Sequence, residues 1–294
     1  MAVYKRTYKV YQGALTPLRS RFLVLTRYAL STLFESRLFT GFAVLCVLPF
    51  LIGLAYIYVA HSLSARMLLN VRMNDIFVVD DMFFATVLRV QTGFGFILTA
   101  WAAPGLVTKD FANQALQLYL SRPLSRAEYL LGKFSVLAIL LSGLTWIPGL
   151  VLFSLQAGME GNGWVWHNLY LAGSIFTASW LWIAMMALIA LALSVWVRWR
   201  LAATGLIFGV FFVLPGFGHA MSFVLQSPGA RLIDLSYAVH VAWGHLFQFD
   251  ARHVRLWDLD AVPVWSAWAS ILTACLIALW LLDRRLKARE VERG

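Results

Sequence analysis

Charge is scarce in this sequence: only 13% of its 294 residues are Asp, Glu, Lys or Arg, against roughly 25% in soluble domains. A soluble protein of this size could not cover its surface with so little charge, so the bilayer must be the solvent for much of the chain. The phosphate-cradling G-x-x-x-x-G-K-[ST] pattern is missing, as are H-E-x-x-H and G-x-S-x-G. An ATPase, if one is used, has to be another polypeptide. Cysteine is nearly missing too. Cys46 and Cys275 both fall inside apolar runs, where free cysteine acts as a small apolar filler, and they report no redox compartment. No secretory signal is read at the start, because the first 37 residues are basic and mixed and the first apolar run is long enough to span.

What the chain has in excess is hydrocarbon: 61% of its residues are apolar and the mean hydropathy is +0.75. Uncharged runs long enough for a spanning helix recur six times, over Leu38 to Ala60, Val90 to Val107, Phe134 to Gln156, Leu169 to Val197, Leu201 to Leu225 and Val262 to Leu282. The expected fold is an all-α integral membrane protein of six transmembrane helices. Tryptophans such as Trp164, Trp166, Trp196, Trp199 and Trp265 lie near the expected ends, as interfacial anchors do.

The basic residues are shared unevenly. Arg66, Arg72, Arg89, Arg231, Arg252 and Arg255 fall on one side, and the other 18 of the 24 fall on the opposite, basic side. The positive-inside rule makes the basic side cytoplasmic, with both termini there. The formal charge of +10 is thus a topology signal, and nucleic acid is not an expected partner. Ahead of the first run, Phe22, Leu25, Ala29 and Leu33 share one helical face opposite Ser20, Arg27, Ser31 and Glu35. That pattern reads as an amphipathic helix in the interface, the alternative being an extended first span. Between the fifth and sixth runs, Leu232 to Phe249 is apolar but broken by Asp234, His240 and His245. A short helix or re-entrant hairpin on the far side is expected there.

None of the six runs contains an acid or a base. Ion-coupled transporters usually keep ionisable groups inside the membrane to carry the coupling ion, so energy is expected to enter from outside the membrane part. A membrane-embedded enzyme would need clustered catalytic or metal groups at membrane depth, and none is visible. All six histidines fall in far-side segments or near the far end of a span. His240 and His245, five apart, point to different faces of a helix, so metal ligation is not expected.

The segment Thr108 to Lys133 reads TKDFANQALQLYLSRPLSRAEYLLGK. On a helical wheel Asp110, Asn113, Gln114 and Gln117 form one polar arc, with Asp110 in the first turn of a short lateral helix. Pro123 ends that helix. Ser125 and Glu128 make an S-x-x-E capping box that starts the next one, which runs into the third span. A stiff, largely apolar element of this kind needs a partner groove to cover it.

The run QALQLYLSRPLSRAEYLLGK resembles the cytoplasmic loop of ATP-binding cassette (ABC) type-2 permeases. The positions that match are Asp110, Leu116, Leu120, Ser121, Pro123, Leu124, Ser125, Arg126, Gly132 and Lys133. The order of elements extends the resemblance over nearly the whole chain: interfacial helix, six spans and an apolar far-side segment before the last. The chain departs from the family in its Lys109-Asp110-Phe111-Ala112-Asn113 stretch, where a Glu-Arg-Glu-like charge pattern is common.

The resemblance implies one transmembrane permease domain over 1–294. It comprises a tail and interfacial helix (1–37), a six-helix membrane part (38–282), a coupling loop (108–133) and a second cytoplasmic tail (283–294). It further implies an exporter in a cell membrane, the bacterial inner membrane, with no cofactor in this chain and ATP and Mg in partner ATPase subunits. A second permease subunit, identical or homologous, and membrane lipid complete the expected partners. Coupling to the ATPase is assigned by resemblance to Asp110, Asn113, Gln114, Gln117, Arg122, Pro123 and Arg126, and pathway lining to Gln91, Thr92, Thr99, Thr204 and His219. The alternative is a scaffolding or force-transmitting subunit that moves no substrate of its own. Pro104-Gly105 and Pro215-Gly216 are expected to kink or end helices.

Overall fold

Backbone amides in a bilayer have to be satisfied within the protein, so apolar runs of this length fold as helices. The computed structural model describes residues 21–62, 64, 78–112, 125–197, 199–256 and 258–291, and among these there is no strand. Six helices are long and apolar enough to cross a membrane: Arg37–His61, Asp81–Thr108, Arg126–Glu160, Gly163–Trp196, Arg200–Leu225 and Val264–Lys287, here spans 1 to 6. The chain is an all-α integral membrane protein.

Span 4 is the pillar. In its apolar stretch 72% of residues are buried, against 17% in span 5 and 22% in spans 1 and 6. Its inward positions include Ala178, Ser179, Ala187, Ala190, Ala192 and Ser194, all within 1% of full burial. Small side chains of this kind let helix backbones approach closely where no hydrophobic force drives association. Spans 2, 3, 5 and 6 all pack on it. Trp182 of span 4 lies where a side chain at Gly95 of span 2 would stand, 2.9 Å from an added Cβ.

Several spans are built in pieces, and proline marks the joints. Span 1 breaks at Cys46 and Val47 just ahead of Pro49, and span 3 breaks between Ser142 and Trp146, just ahead of Pro148. Span 5 contains a π-helical turn, Gly209–Val213, directly before Pro215. Proline cannot donate to the carbonyl four residues back, and a local π adjustment is one way a membrane helix absorbs that loss.

The N-terminal amphipathic helix is separate from span 1. It runs Arg21–Phe34, and the Ser36 hydroxyl then caps a new helix by accepting from the Phe39 amide. Its covered face carries Phe22, Leu25, Ala29 and Leu33, the face expected from the wheel, and it lies on the start of span 3.

Two expectations are corrected. The second helix begins at Asp81 rather than Val90, whereas the third begins at Arg126, directly after the Ser125 cap, as expected. The spans therefore do contain ionisable groups, among them Arg89 and Lys133. The runs were cut at charged residues, whereas a helix continues through a charge near its end whenever that charge has water or a partner. The second helix also continues unbroken past Pro104 to Ala112. Asp110 thus sits in its last turns, not in the first turn of a separate lateral helix.

The far-side segment between spans 5 and 6 folds back into the bundle. A 3-10 turn, Pro228–Ile233, runs back alongside the end of span 5, and an α-helix, Leu235–Leu246, then packs against spans 4 and 6. Asp234 caps that helix through the amides of Ser236 and Tyr237. Trp243 Nε1 donates to Ala178 O at 3.1 Å and Ser174 Oγ donates to Leu246 O at 2.6 Å, so the helix is pinned along span 4. A short helix, Ala251–Leu256, precedes span 6.

Candidate coupling and binding sites

The loop that carries the sequence argument has a rigid root. Ser125 and Glu128 form the expected capping box, with Ser125 N donating to Glu128 Oε2 at 2.7 Å and Glu128 N donating to Ser125 Oγ at 3.2 Å. The helix so started presents Tyr129 and Lys133, one turn apart, toward the end of span 2. Lys133 Nζ lies 2.7 Å from Asp110 Oδ2, and the Tyr129 hydroxyl donates to the same oxygen at 2.9 Å. The Lys133 ammonium also sits 5.5 Å from the centre of the Tyr129 ring. The pair is buried, with side chains 6% and 15% exposed for Lys133 and Asp110.

The N-terminal helix closes the same root from the other side. Thr26 Oγ1 donates to Gly132 O at 3.1 Å. A Cβ at Gly132 would stand 2.9 Å from Leu25 Cδ2 and 3.3 Å from the Phe22 carbonyl, so only glycine lets the two helices lie this close. The Gly132-Lys133 pair therefore does two jobs: glycine seats the N-terminal helix, and lysine holds the end of span 2. A crevice of about 350 Å³ remains between them, lined by Tyr28, Trp101, Asp110, Lys133 and Arg200 among others.

Above the root, span 5 repairs the proline in span 2. Pro104 cannot donate to Ala100 O, and Thr204 Oγ1 lies 3.1 Å from that oxygen as a donor. Arg200 Nη2 donates to the neighbouring Trp101 O at 3.3 Å. A carbonyl left without its donor by a proline inside a membrane helix can be satisfied by a neighbouring span, as the bilayer demands.

The family described as ABC-2 family transporter protein matches residues 22–282, which takes in the first five spans, the loop root and nearly all of the N-terminal helix and of span 6.

The chain belongs to the ABC-2 transporter family.

Members of this family are membrane transport components, generally not themselves catalytic, and generally work with ABC ATPase subunits. No curated protein matches the sequence.

The residues singled out from the permease resemblance separate into distinct groups. Asn113, Gln114, Gln117, Arg122 and Pro123 lie outside the described residues. Asp110 faces inward to Lys133 and Tyr129, and Arg126 is the first residue of span 3. Thr92 lines a cavity between spans 2 and 5. Thr99 is fully buried and bonds to Gly95 O of its own helix, and Thr204 serves the carbonyl that Pro104 leaves without a donor. His219 is exposed on the far part of span 5. Gln91 is 1% exposed, and neither its oxygen nor its nitrogen has a hydrogen-bond partner among the described residues.

The cavity is about 370 Å³ and opens between span 2, span 5 and the re-entrant helix, with Arg89, Thr92, Phe96, Trp182, Phe208, Phe212 and His240 in its wall. Sequence reasoning passed over Arg89 because it stands one residue outside the apolar run. The aromatic wall was hidden because phenylalanine in a span reads as lipid-facing filler. On the far side, Arg231 is bound to Asp258 and stacks over Tyr237, whose hydroxyl donates to Asp258 O at 2.7 Å. The Asp258 hydrogen bond raises the Arg231 guanidinium above its usual range. Burial first, then the Asp258 charge, raises the Tyr237 phenol. His61 joins spans 1 and 3 through Glu160 at 3.2 Å. Among the described residues no group of three or more His, Cys, Asp or Glu could hold a metal ion.

Proposed function

We propose that this chain is the permease subunit of an ATP-driven ABC exporter, moving its substrate outward with energy from separate ATPase subunits that bind ATP and Mg. The permease pairs with a second one, identical or homologous, in the bacterial inner membrane, and both termini lie in the cytoplasm on the basic side. The segment 108–133 docks the ATPase.

The observation that carries this reading is the root of that segment. Asp110, Lys133 and Tyr129 lock the end of span 2 to the start of span 3, and the N-terminal helix is seated on Gly132 beside them. A push on the loop is then delivered to three helices at once rather than absorbed by a slack connection. Closure of the ATPases would move span 2 against span 5, switching the bundle between two packed arrangements.

Affinity purification from native membranes tests this: an ABC-type ATPase should accompany the chain, and Pro123→Ala combined with Arg126→Glu should leave hydrolysis running without transport. Recovery of the chain with no ATPase under mild solubilisation would overturn the reading. ATPase recruitment with no cargo moved in reconstituted vesicles would instead identify a force-transmitting scaffold.

A further inference from the structure

The cavity between spans 2 and 5 has a polarity of its own. Phe96 of span 2 meets Phe208 and Phe212 of span 5 edge-on, with ring centroids 5.1 and 5.7 Å away. Phe208 and Phe212 are themselves stacked at 5.7 Å with planes 12° apart. The π turn Gly209–Val213 begins directly after Phe208 and contains Phe212, so it sets the register of the two rings. Single π turns of this kind are frequent at functional sites. Trp182 closes the floor, and Arg89 and His240 also line the same space. From Phe96 to Arg89 is two helical turns, roughly 10 Å along span 2. The cavity is therefore apolar and flat-walled at one end and cationic at the other.

Aromatic cages alone also suit quaternary ammonium groups, so the sign of charge has to be decided. Among the described residues no acid lines this cavity, while Arg89 does. Asp80, on the same far side, belongs to a separate groove between spans 1 and 2. Burial, and next the Arg89 charge, lowers the His240 imidazole to about 4, so His240 adds no cation to the cavity at neutral pH.

We infer that this cavity takes an amphiphile with one anionic head group, the head at Arg89 and the apolar body between Phe96, Phe208, Phe212 and Trp182. The inference rests on the permease reading only for its transport meaning; binding itself needs no ATPase. The head group could belong to a resident anionic lipid or to a free amphiphile, and the chemistry at Arg89 is the same for both.

The test is tryptophan quenching in zwitterionic phosphatidylcholine nanodiscs by three probes that share one tail: ω-bromoundecyl phosphate, ω-bromoundecyl trimethylammonium and ω-bromoundecanol. Trp182→Phe supplies the background. The phosphate should quench Trp182 at about ten-fold lower concentration than the other two, the scale of one charge-assisted hydrogen bond. Arg89→Gln should erase that preference, Arg89→Lys should keep most of it, and Phe212→Ala should weaken all three probes alike. Phosphatidylglycerol in the disc that displaces the phosphate probe identifies a bilayer lipid as the occupant, and failure to displace it identifies a free amphiphile. Equal quenching by all three probes, or an anionic preference that survives Arg89→Gln, overturns the inference. That outcome leaves the permease reading intact if an ATPase co-purifies, and loss of the ATPase leaves the binding result intact.

Discussion

Asp110→Asn is the sharpest perturbation of the coupling root. At an effective dielectric of about 20, opposite charges 2.7 Å apart attract by roughly 6 kcal/mol before desolvation is subtracted. Removing one partner of a buried pair typically costs about 3–5 kcal/mol, because the other charge is left uncompensated. Asp110 keeps some solvent contact, so the low end, about 3 kcal/mol, is expected. The loss is local. Amide hydrogen exchange in the first two turns of span 3 should speed up roughly a hundred-fold, since ~1.4 kcal/mol is a factor of ten. Lys133→Met alone should do the same. The double variant Asp110→Leu with Lys133→Met should return most of the protection, because an apolar pair of similar volume often replaces a buried ion pair without loss. With Asp110→Leu also measured alone to close it, the double-mutant cycle should give about 2–3 kcal/mol of coupling. Wild-type exchange rates in both single variants, or a coupling under about 0.5 kcal/mol, would show that the pair does not hold spans 2 and 3 together.

Three further outcomes follow from the same geometry. Gly132→Ala should detach the N-terminal helix or shift it, at a cost of about 1–3 kcal/mol for an overpacked contact, read as faster proteolysis or cysteine labelling at Leu25. Thr204→Val should cost about 1 kcal/mol by leaving the Ala100 carbonyl unmet, and should cost little in a Pro104→Ala background, where the helix supplies its own donor; thermal melts in detergent compare the two. For His240, the folded-state pKa of about 4 lies below the ordinary 6.5. The unfolded state therefore binds more protons between these values, and stability rises with pH across that window. Melting temperature should fall as pH drops from 6.5 toward 4, and His240→Gln should flatten that dependence.

The membrane body was legible in the sequence because a spanning helix needs a long apolar run and little else. The number of spans, the amphipathic helix ahead of span 1 and the Ser125–Glu128 cap are all local patterns, each read within about twenty residues. Their ends were not legible in the same way. Arg89 marked a boundary in the sequence, yet it lies inside a helix that starts two turns earlier at Asp81. Pro104 read as a kink or an end and lies inside one continuous helix, with donors to the carbonyls beside it coming from Thr204 and Arg200, a hundred residues away. Asp110 read as the first-turn acid of a separate lateral helix and stands instead in the last turns of the second helix, where it pairs with Lys133 across a loop. The π turn has no composition signature, and the aromatic wall exists only once spans 2 and 5 are side by side.

Span 2 is where these findings join. A single helix from Asp81 to Ala112 carries Arg89 near one end and Asp110 near the other, roughly 32 Å apart at 1.5 Å per residue. Its cavity end is walled by the π turn of span 5, and its loop end is locked to span 3 and to the seat of the N-terminal helix. Between them Pro104 removes the helix's own donor to Ala100 O, a point where a bend costs little, and Thr204 and Arg200 of span 5 bond to the Ala100 and Trp101 carbonyls there. A displacement at the loop therefore has two ways to relax: it can be taken up at Pro104, or passed rigidly to Phe96 and Arg89. Stiffening that point separates them. In Pro104→Ala the helix regains an internal donor and loses its compliance. If rigid transmission operates, occupancy of the cavity should become more sensitive to ATPase engagement in that variant. If bending at Pro104 is the moving part, occupancy should become insensitive. Probe quenching of Trp182 measured with and without ATP in the purified complex distinguishes the two.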